Sequence, residues 1–276
     1  MKRIGYTTLV IAMLCGLAMS LAPASHATPN PNSAAFNLRV FNDCPFSTIT
    51  TTNTYPVTVS IDDAVPASTC FGFANLHAWS FSENGTDAAP FDNNSCFTFS
   101  ANLVIDGTGQ GEAAIRISPW WSQYVDGRIN VRTTDGEIAC FGGRLPFYSF
   151  TGNGVPSYVK GTSIYLEMAY DPNQMTEADP ATIQYTVGYG GNSYSSPVLP
   201  FDQGNDNEDP PYGLWGMLND GRAGGLVQPL WGPTNPLVDR NVSATFTDIT
   251  FNRTCSEKKP TPVNHSSWGR VKVLYR

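Results

Sequence analysis

Apolar and polar residues alternate along most of the chain in short segments, and this period of two predicts β-strands. Asp-Gly pairs such as Asp106-Gly107 and Asp135-Gly136 separate neighbouring segments and supply the positive φ that tight hairpins require. The pattern therefore predicts a chain made almost entirely of strands. The predicted strands are Val57–Ile61, Phe73–Phe81, Phe97–Ile105, Ala113–Ser118, Arg128–Thr133, Ile138–Phe141, Ile164–Tyr170, Thr182–Tyr189, Ser193–Ser196, Leu214–Leu218 and Thr245–Phe251.

These eleven short strands at close spacing predict a two-sheet antiparallel β-sandwich, because sheets of this kind bury their apolar faces against each other. No stretch predicts a helix of useful length, and Met175–Ala178 is compatible with a single turn. We expect residues 28–255 to form one all-β domain of this architecture.

The first 27 residues have the pattern of a secretory signal peptide. Lys2 and Arg3 form a basic start, Thr8–Ala22 supplies an apolar segment, and small residues lead to a cleavage site after Ala27. A cut after Ala24 fits the same pattern. No later stretch is long and apolar enough to predict a transmembrane helix. We therefore expect a secreted protein that is extracellular or located at the cell surface.

Charge is sparse and unevenly distributed. Only 14% of residues are charged, while 41% are hydrophobic and 12% aromatic, a balance typical of a folded chain. The formal net charge of the whole sequence is −7, but residues 28–255 contain 9 cations and 22 anions, a net charge of −13. We expect no nucleic-acid partner, because such a body lacks the cations that neutralise phosphates.

Both ends of the predicted domain differ in composition from its body. Thr28–Ala35 is rich in Pro, Asn and Ser, which predicts a loose lead-in. Residues 256–276 carry a net charge of +4, with an extended linker at Lys258–Val263 and an aromatic, basic terminus at Ser267–Arg276. Two interpretations of this tail stay open: a sorting or attachment signal at the cell surface, or a final edge strand.

Five cysteines follow the predicted signal peptide, and in an oxidising compartment they are disulfide candidates. We predict a bond between Cys44 and Cys70, because both flank the same irregular segment. The odd number leaves one cysteine unpaired, and the sequence leaves open which one. No CxxC motif is present, which argues against a metal site built from thiolates. The candidates are Cys44, Cys70, Cys96, Cys140 and Cys255.

Histidine is scarce, since only His77 and His265 follow the predicted signal peptide. This scarcity argues against a zinc site with several histidine ligands and against a Ser-His-Asp triad. Strand alternation places His77 on the same face as Asn75 and Trp79. We expect His77 to be a structural histidine that forms local hydrogen bonds.

The strand pattern between Cys70 and Phe251 resembles that of the concanavalin A-like lectin/glucanase superfamily. The resemblance implies a jelly-roll sandwich of two antiparallel sheets. No motif that is diagnostic of one activity accompanies it, so the resemblance implies a fold rather than a function. The segments that carry it are Phe97–Ile105, Gly161–Pro172, Ala181–Val187 and Ala244–Phe251.

That superfamily includes glycoside hydrolases and polysaccharide lyases, whose motifs are only partly present. The Glu-x-Asp-x-x-Glu strand of glucanases is absent, and Asp135–Glu137 is better explained as a turn. Arg128, Arg132 and Tyr158–Tyr165 are similar to fragments of alginate lyase motifs, but Gln-x-His is absent. For a divergent enzyme, the residues expected at the catalytic site are Arg128, Arg132, His77, Glu137, Glu167 and Tyr165.

Aromatic residues near predicted loops favour a binding function. Sugar rings stack their apolar faces on aromatic side chains, while arginines bind hydroxyl or carboxylate groups. Trp120 and Trp121 are adjacent, so in an extended chain at least one of them faces outward; Trp79 and Trp215 lie in alternating segments and are expected in the core. The predicted ligand-binding residues are Trp120, Trp121, Tyr124, Arg128, Arg132, Arg144 and Tyr148.

A structural calcium is the one cofactor that the sequence leaves open. The acidic segment Asp202–Asp209 offers clustered oxygen ligands, and Asp248 resembles the carboxylate that precedes the last strand in related sandwiches. A solvated acidic loop explains the same composition. The candidate ligands are Asp202, Asp206, Glu208 and Asp248.

These observations lead to one functional hypothesis and two alternatives. Abundant loop aromatics without a complete catalytic motif favour a secreted, non-catalytic sandwich that binds extracellular glycan or another surface ligand. The first alternative is a polysaccharide hydrolase or lyase with divergent catalytic residues. The second is a structural protein of the cell surface or of adhesion.

Overall fold

The computed structural model describes residues 29–66, 73–117, 126–201, 215–217, 221–230 and 240–253. Within these residues the chain forms fifteen β-strands and a short 3-10 helix at Thr151–Asn153. The strands make two antiparallel sheets that pack as a jelly-roll sandwich, which confirms the predicted fold class. No helix in this part of the chain is long and apolar enough to span a membrane.

The first sheet has seven strands in the order β1-β4-β14-β6-β7-β8-β9. We call it the seven-stranded sheet, and it carries the candidate functional site. Its strands are β1 Ser33–Asn42, β4 Asn75–Ser82, β6 Gln110–Ile117, β7 Gly127–Arg132, β8 Ile138–Phe141, β9 Tyr148–Ser149 and β14 Ala223–Leu230.

The second sheet has eight strands in the order β12-β11-β10-β5-β15-β3-β2, and β13 pairs with β11 beside this path. We call it the eight-stranded sheet. Its strands are β2 Thr48–Thr54, β3 Thr58–Val65, β5 Phe97–Asp106, β10 Ile164–Asp171, β11 Thr182–Tyr189, β12 Asn192–Ser195, β13 Leu199–Pro200 and β15 Arg240–Asn252.

The core lies between the two sheets and follows from the alternation in the sequence. Every second residue of β3 and β10 is buried, while the residues between them are partly exposed. Trp79 of β4 lies at the centre, with its ring centroid 5.5 Å from Phe81, 5.9 Å from Phe99 and 5.4 Å from Phe246. All three contacts are edge-to-face, the arrangement that aromatic quadrupoles favour.

A polar cluster interrupts this apolar core beside β1. His77 and Asn75 of β4 reach across to Asp63 of β3, with 2.8 Å from His77 Nε2 to Asp63 Oδ2 and 2.7 Å from Asn75 Nδ2 to the same oxygen. The backbone N–H of Arg39 donates to His77 Nδ1 at 2.9 Å. His77 is fully buried. The expectation of a locally hydrogen-bonded structural histidine is therefore confirmed.

Ten of the eleven predicted strands overlap an observed strand, and β8 and β11 have the predicted bounds. The predicted strand at Leu214–Leu218 is wrong where the structure describes it, because residues 215–217 form a bend outside both sheets. Its short apolar run is explained by burial of Met217 and by backbone contacts: the carbonyl of Trp215 accepts from Ala181, and that of Gly216 accepts from Arg144.

The hydrophobic pattern does not predict three long strands, β1, β2 and β14. The predicted loose lead-in at Thr28–Ala35 is wrong in its last part, because β1 begins at Ser33 and pairs with β4. β2 consists of polar residues apart from one isoleucine. It lies at the edge of its sheet, where a strand needs few apolar residues. β14 contains Gly224 and Gly225, which resemble a loop in sequence.

Close packing explains the two glycines of β14. A Cβ atom on Gly224 would lie 2.2 Å from the carbonyl oxygen of Trp79, and one on Gly225 would lie 2.4 Å from Trp79 Nε1. No larger residue fits between this strand and the tryptophan without a shift. The glycines therefore mark a close approach inside the sheet rather than a turn.

The structure distinguishes the cysteines. Cys44 and Cys96 each take part in a disulfide bond. Cys140, predicted as a disulfide candidate, is instead a free and fully buried thiol, because β8 directs its side chain into the apolar core. Cys70 and Cys255 lie outside the described residues, so the Cys44–Cys70 bond stays a prediction. The signal peptide at residues 1–27 and the tail at residues 256–276 also lie outside them.

Candidate functional site

The outward side of the seven-stranded sheet carries a row of polar side chains on adjacent strands. On β6 and β7, Ile115, Ile117, Ile129 and Val131 point into the core, so the residues between them point away from it. The registers of β6 with β7 and β14, and of β7 with β8, then bring the outward residues side by side. We call this row the polar face, and it consists of Glu112, Arg116, Arg128, Asn130, Arg132, Glu137 and Gln228.

A pocket of about 310 Å³ opens on the polar face beside β8. Hydrogen-bonding groups line one part of it and aromatic rings another, the combination that sugar-binding sites use. Asn130 is recessed, with only 4% of its surface exposed. The lining residues are Asn130, Arg132, Glu137, Ala139, Phe141 and Phe147.

Arg132 is held by two carboxylates at the rim of this pocket. Its Nε and Nη2 donate to the two oxygens of Asp135 at 2.8 and 2.6 Å, and Nη2 also lies 2.7 Å from Glu137 Oε2. The hydrogen bonds from Arg132 hold the pKa of Asp135 below its usual value, and the same contacts raise the pKa of Arg132. Arg132 therefore stays protonated and fixed in position.

The other two arginines of the polar face lie deeper. Arg128 is 6% exposed, its Nη1 lies 3.4 Å from Asp126 Oδ2, and its guanidinium lies 4.4 Å above the ring of Phe141. Arg116 is fully buried and donates to Ser80 Oγ at 3.2 Å. Burial lowers the pKa of both groups, that of Arg116 to about 10, so both remain cationic at neutral pH.

Asp126 balances these two cations at an energetic cost. Burial raises the pKa of its carboxyl to about 6, although the charges of Arg128 and Arg116 act in the opposite direction. Desolvation thus outweighs the ion pair with Arg128 at 3.4 Å. Asp126, which contacts Arg128 of the polar face, thus has a pKa of about 6, well above that of an ordinary aspartate.

Two carboxamide oxygens complete the polar face as acceptors. Asn130 Nδ2 donates to Glu112 Oε2 at 3.0 Å, which fixes the amide and leaves Asn130 Oδ1 without a donor among the described residues. Gln228 Oε1, on the neighbouring strand β14, is likewise buried without a donor in the described part of the chain. Buried acceptors of this kind favour a donor from a ligand.

The structure brings together two of the predicted ligand-binding residues. Arg128 and Arg132 lie on the polar face, two positions either side of Asn130. Arg144 is fully buried, and its Nη1 donates to the carbonyl of Gly216. Tyr148 packs on the core side of β9 against Phe150, with 5.1 Å between the ring centroids. The roles predicted for Arg144 and Tyr148 stay predictions. Trp120, Trp121 and Tyr124 lie outside the described residues.

The residues expected for a divergent enzyme fall into separate places. Glu137 lies on the polar face with Arg128 and Arg132, whereas His77 lies inside the sandwich. Glu167 accepts a hydrogen bond from Tyr165 at 2.7 Å on the outward side of the eight-stranded sheet. These residues do not form one catalytic site in the structure.

The predicted calcium ligands remain untested. Asp248 lies at an irregularity of β15, has a φ of 51° and accepts a hydrogen bond from Asn102 Nδ2 at 2.9 Å. Within the described residues, no group of three His, Cys, Asp or Glu side chains is placed to hold a metal ion. Asp202, Asp206 and Glu208 lie outside the described residues.

Several residues of the polar face and of its pocket are not predicted from the sequence. Glu112, Asn130, Phe141 and Gln228 have no motif around them, and Gln228 lies on a strand that the pattern misses. Strand alternation provided a signal for Asn130, because it lies midway between Arg128 and Arg132. The pairing of β7 with β6 and β8, which assembles the face, is not readable from the sequence.

Comparison with known proteins finds similar solved structures but no matching family. No protein-family model matches the chain, and no curated protein matches it. The fold is similar to the alginate lyase vAL-1 from Chlorella virus, at 11% identity and a TM-score of 0.42, with 81% of this chain and 93% of that chain covered.

Two further solved structures are similar in the same way. The alginate lyase from Alteromonas sp.272 has 12% identity and a TM-score of 0.37, with 80% of this chain and 95% of that chain covered. The carbohydrate-binding module CBM66 from Bacillus subtilis has 11% identity and a TM-score of 0.35, with 80% and 97% covered. At these identities and TM-scores, the likeness concerns the β-sandwich fold alone.

Proposed function

We propose that this protein is a secreted, non-catalytic β-sandwich of the concanavalin A-like superfamily, and that it binds extracellular glycan at the polar face. The observation that carries the proposal is the pocket in which Phe141 and Phe147 lie beside Asn130, Arg132 and Glu137. Sugars combine apolar ring faces with hydroxyl groups, and this pocket offers a surface for each.

The polar face has the rigidity that a binding site requires. Its side chains project from paired strands, and Asn130 and Arg132 are each fixed by hydrogen bonds to carboxylates. A fixed site loses little side-chain entropy when ligand binds. The signal-peptide pattern supports an extracellular location for the ligand, and the basic tail supports attachment at the cell surface as part of the same proposal.

Binding measurements with matched variants test the proposal. The secreted chain is applied to a glycan array, and any ligand found is titrated by calorimetry. We expect Asn130→Ala and Phe141→Ala each to weaken binding at least about tenfold, because each removes one kind of contact. Asn192→Ala and Phe46→Ala are the matched controls, because both side chains are exposed away from the pocket.

The outcomes of this experiment separate the alternatives. Binding that is lost in the pocket variants and kept in the controls supports the proposal. Absence of binding to every glycan, or equal binding by Asn130→Ala, Phe141→Ala and the unaltered chain, overturns it. Thermal melting of each variant distinguishes lost contacts from lost folding. Trp120→Ala and Trp121→Ala test the two tryptophans that the sequence predicts to bind ligand.

A polysaccharide lyase or hydrolase is a second candidate function. The observation that favours it is the presence of Arg128, Arg132 and Glu137 on one face. Release of unsaturated sugars or of reducing ends from a bound polysaccharide, abolished by Glu137→Gln, supports an enzyme. Binding without product release supports the non-catalytic function.

A further inference from the structure

We infer that the glycan recognised at the polar face is built of neutral sugars rather than uronic acids. The inference rests on the proposed function and concerns the same pocket. The polar face offers hydrogen-bond acceptors to a ligand, while its guanidinium groups are balanced inside the fold by carboxylates and an aromatic ring.

Arg132 is the arginine that lines the pocket, and its charge is compensated on two sides. Three of its hydrogen-bond distances to carboxylate oxygens of Asp135 and Glu137 lie between 2.6 and 2.8 Å. A uronate carboxylate would have to replace one of these partners or approach both of them. Replacement would break an existing bidentate pair, and approach to both carboxylates would place like charges side by side. Each effect disfavours uronate binding at Arg132.

Arg128 and Arg116 are also engaged within the fold. Arg128 contacts Asp126 at 3.4 Å and the ring of Phe141 at 4.4 Å, and Arg116 is fully buried beside Ser80. The four carboxylates next to these arginines are Glu112, Asp126, Asp135 and Glu137. Arg222, whose charge acts on Arg116, brings the number of arginines to four as well. The polar face therefore has no excess positive charge among the described residues with which to bind an anionic chain.

The acceptor groups of the polar face have the opposite chemistry. Asn130 Oδ1 and Gln228 Oε1 are buried acceptors without a donor among the described residues. Glu137 adds a carboxylate at the pocket wall. Asn130 and Glu137 line the pocket, so sugar hydroxyls bound there can donate to them, whereas an ionised uronate carboxylate has no proton to donate. The pocket complements hydroxyl groups better than carboxylates.

The charge of the whole body acts in the same direction. Residues 28–255 carry a net charge of −13, and Lys160 is their one lysine. Its Nζ donates to the carbonyl of Gly109 at 3.0 Å, and neither residue lines the pocket. A polyuronate would approach an acidic surface, and this repulsion would lower its association rate, most strongly at low salt.

A matched pair of ligands tests the inference. Calorimetry compares neutral manno- and cello-oligosaccharides with their counterparts of equal length oxidised to uronates at C6, using the full secreted chain. We expect the neutral member of a pair to bind at least about tenfold more tightly, with an affinity that changes little with salt because no charge pair forms. Tighter binding of the uronate overturns the inference and leaves the proposed function standing.

A variant without the two carboxylates that pair with Arg132 provides a second test. It should gain affinity for uronates, a result that non-specific damage to the protein would not produce. Asp135→Asn/Glu137→Gln removes both partners of Arg132, so we expect uronate affinity to rise roughly fivefold or more at low salt. Glu177→Gln, on an exposed loop, is the control and should leave uronate binding as in the unaltered chain. Unchanged uronate affinity in the double variant overturns the inference, and no binding to either member of any pair overturns the proposed function with it.

Discussion

His77 Nε2 lies 2.8 Å from Asp63 Oδ2, and this contact joins the two sheets through a fully buried pair of side chains. The Arg39 N–H donates to His77 Nδ1 at 2.9 Å, so Nδ1 is the acceptor and Nε2 carries the proton. Asp63 also accepts from Asn75 Nδ2 at 2.7 Å. The one histidine of the body thus fixes the sandwich and is not available to the polar face.

We predict that Asp63→Ala lowers the free energy of unfolding by about 2–4 kcal/mol, because it removes the buried acceptor of hydrogen bonds from His77, Asn75 and Ser47. The control is Asp62→Ala, since the neighbouring side chain points out of the sheet and is expected to matter by less than about 1 kcal/mol. Chemical denaturation measures both. Equal stability of the two variants would contradict a role for this contact.

The pH dependence of stability has opposite signs at two carboxyl groups. Burial acts to raise the pKa of Asp63, but hydrogen bonds from His77, Ser47 and Asn75 outweigh it and the pKa is lowered. Asp63 therefore stabilises the fold above its unfolded pKa of about 4, and this contribution is lost as the pH falls through the lower pKa of the folded state. We expect Asp63→Asn to flatten the acid limb of a stability curve.

Asp126 behaves in the opposite way. Burial raises its pKa to about 6, so the folded state binds a proton more tightly than the unfolded state between roughly pH 4 and 6. Stability contributed by the protonated group is present below this window and is lost as the pH rises through about 6. We predict a smaller decline in Asp126→Asn, measured by denaturation from pH 4 to 7. A decline of equal size would contradict this assignment.

We predict that Gly225→Ala destabilises the protein by roughly 1–3 kcal/mol, because the added methyl group overpacks the core. Its Cβ would lie 2.4 Å from Trp79 Nε1 and 2.7 Å from Phe246 Cζ. Gly152→Ala is the control, because that glycine is exposed and its nearest neighbour is the flexible side chain of Ser149 at 3.1 Å. A melting temperature for Gly225→Ala as high as that of the control would show that β14 can move away.

Cys140 should be the one thiol that appears when the secreted protein unfolds without reductant. Burial raises the pKa of this thiol well above its ordinary value, so we expect no reaction with alkylating reagents in the native state. Thiol titration in denaturant should count one group per chain, and none in Cys140→Ala. A thiol that reacts rapidly under native conditions would place Cys140 outside the core.

The sequence predicts those strands that contain enough apolar residues. β11 has the predicted bounds because Ile183, Tyr185 and Val187 alternate with other residues, and β8 has them because it is a short apolar run. β2 is missed because an edge strand needs few apolar residues. β14 is missed because it contains Gly225, which has no side chain and packs closely beside Trp79. In each case tertiary contacts decide what the local pattern does not.

The candidate site is less predictable than the fold. Arg128 and Arg132 can be identified from the sequence because they share a strand face, and Asn130 follows from the same alternation. Gln228 and Phe141 belong to the site only because β6 pairs with β14 and β7 with β8. From the sequence alone, Arg132 is expected to offer its positive charge to a ligand. Only the folded chain shows that the carboxylates of Asp135 and Glu137 already pair with it.

Calorimetric titration of a glycan ligand into the unaltered chain and into Asn130→Ala tests the central claim most directly. If the polar face binds glycan, the unaltered chain binds a neutral oligosaccharide and Asn130→Ala binds it at least about tenfold more weakly, while Asn192→Ala binds as the unaltered chain does. Equal affinity in all three proteins, with Asn130→Ala correctly folded, would contradict the account.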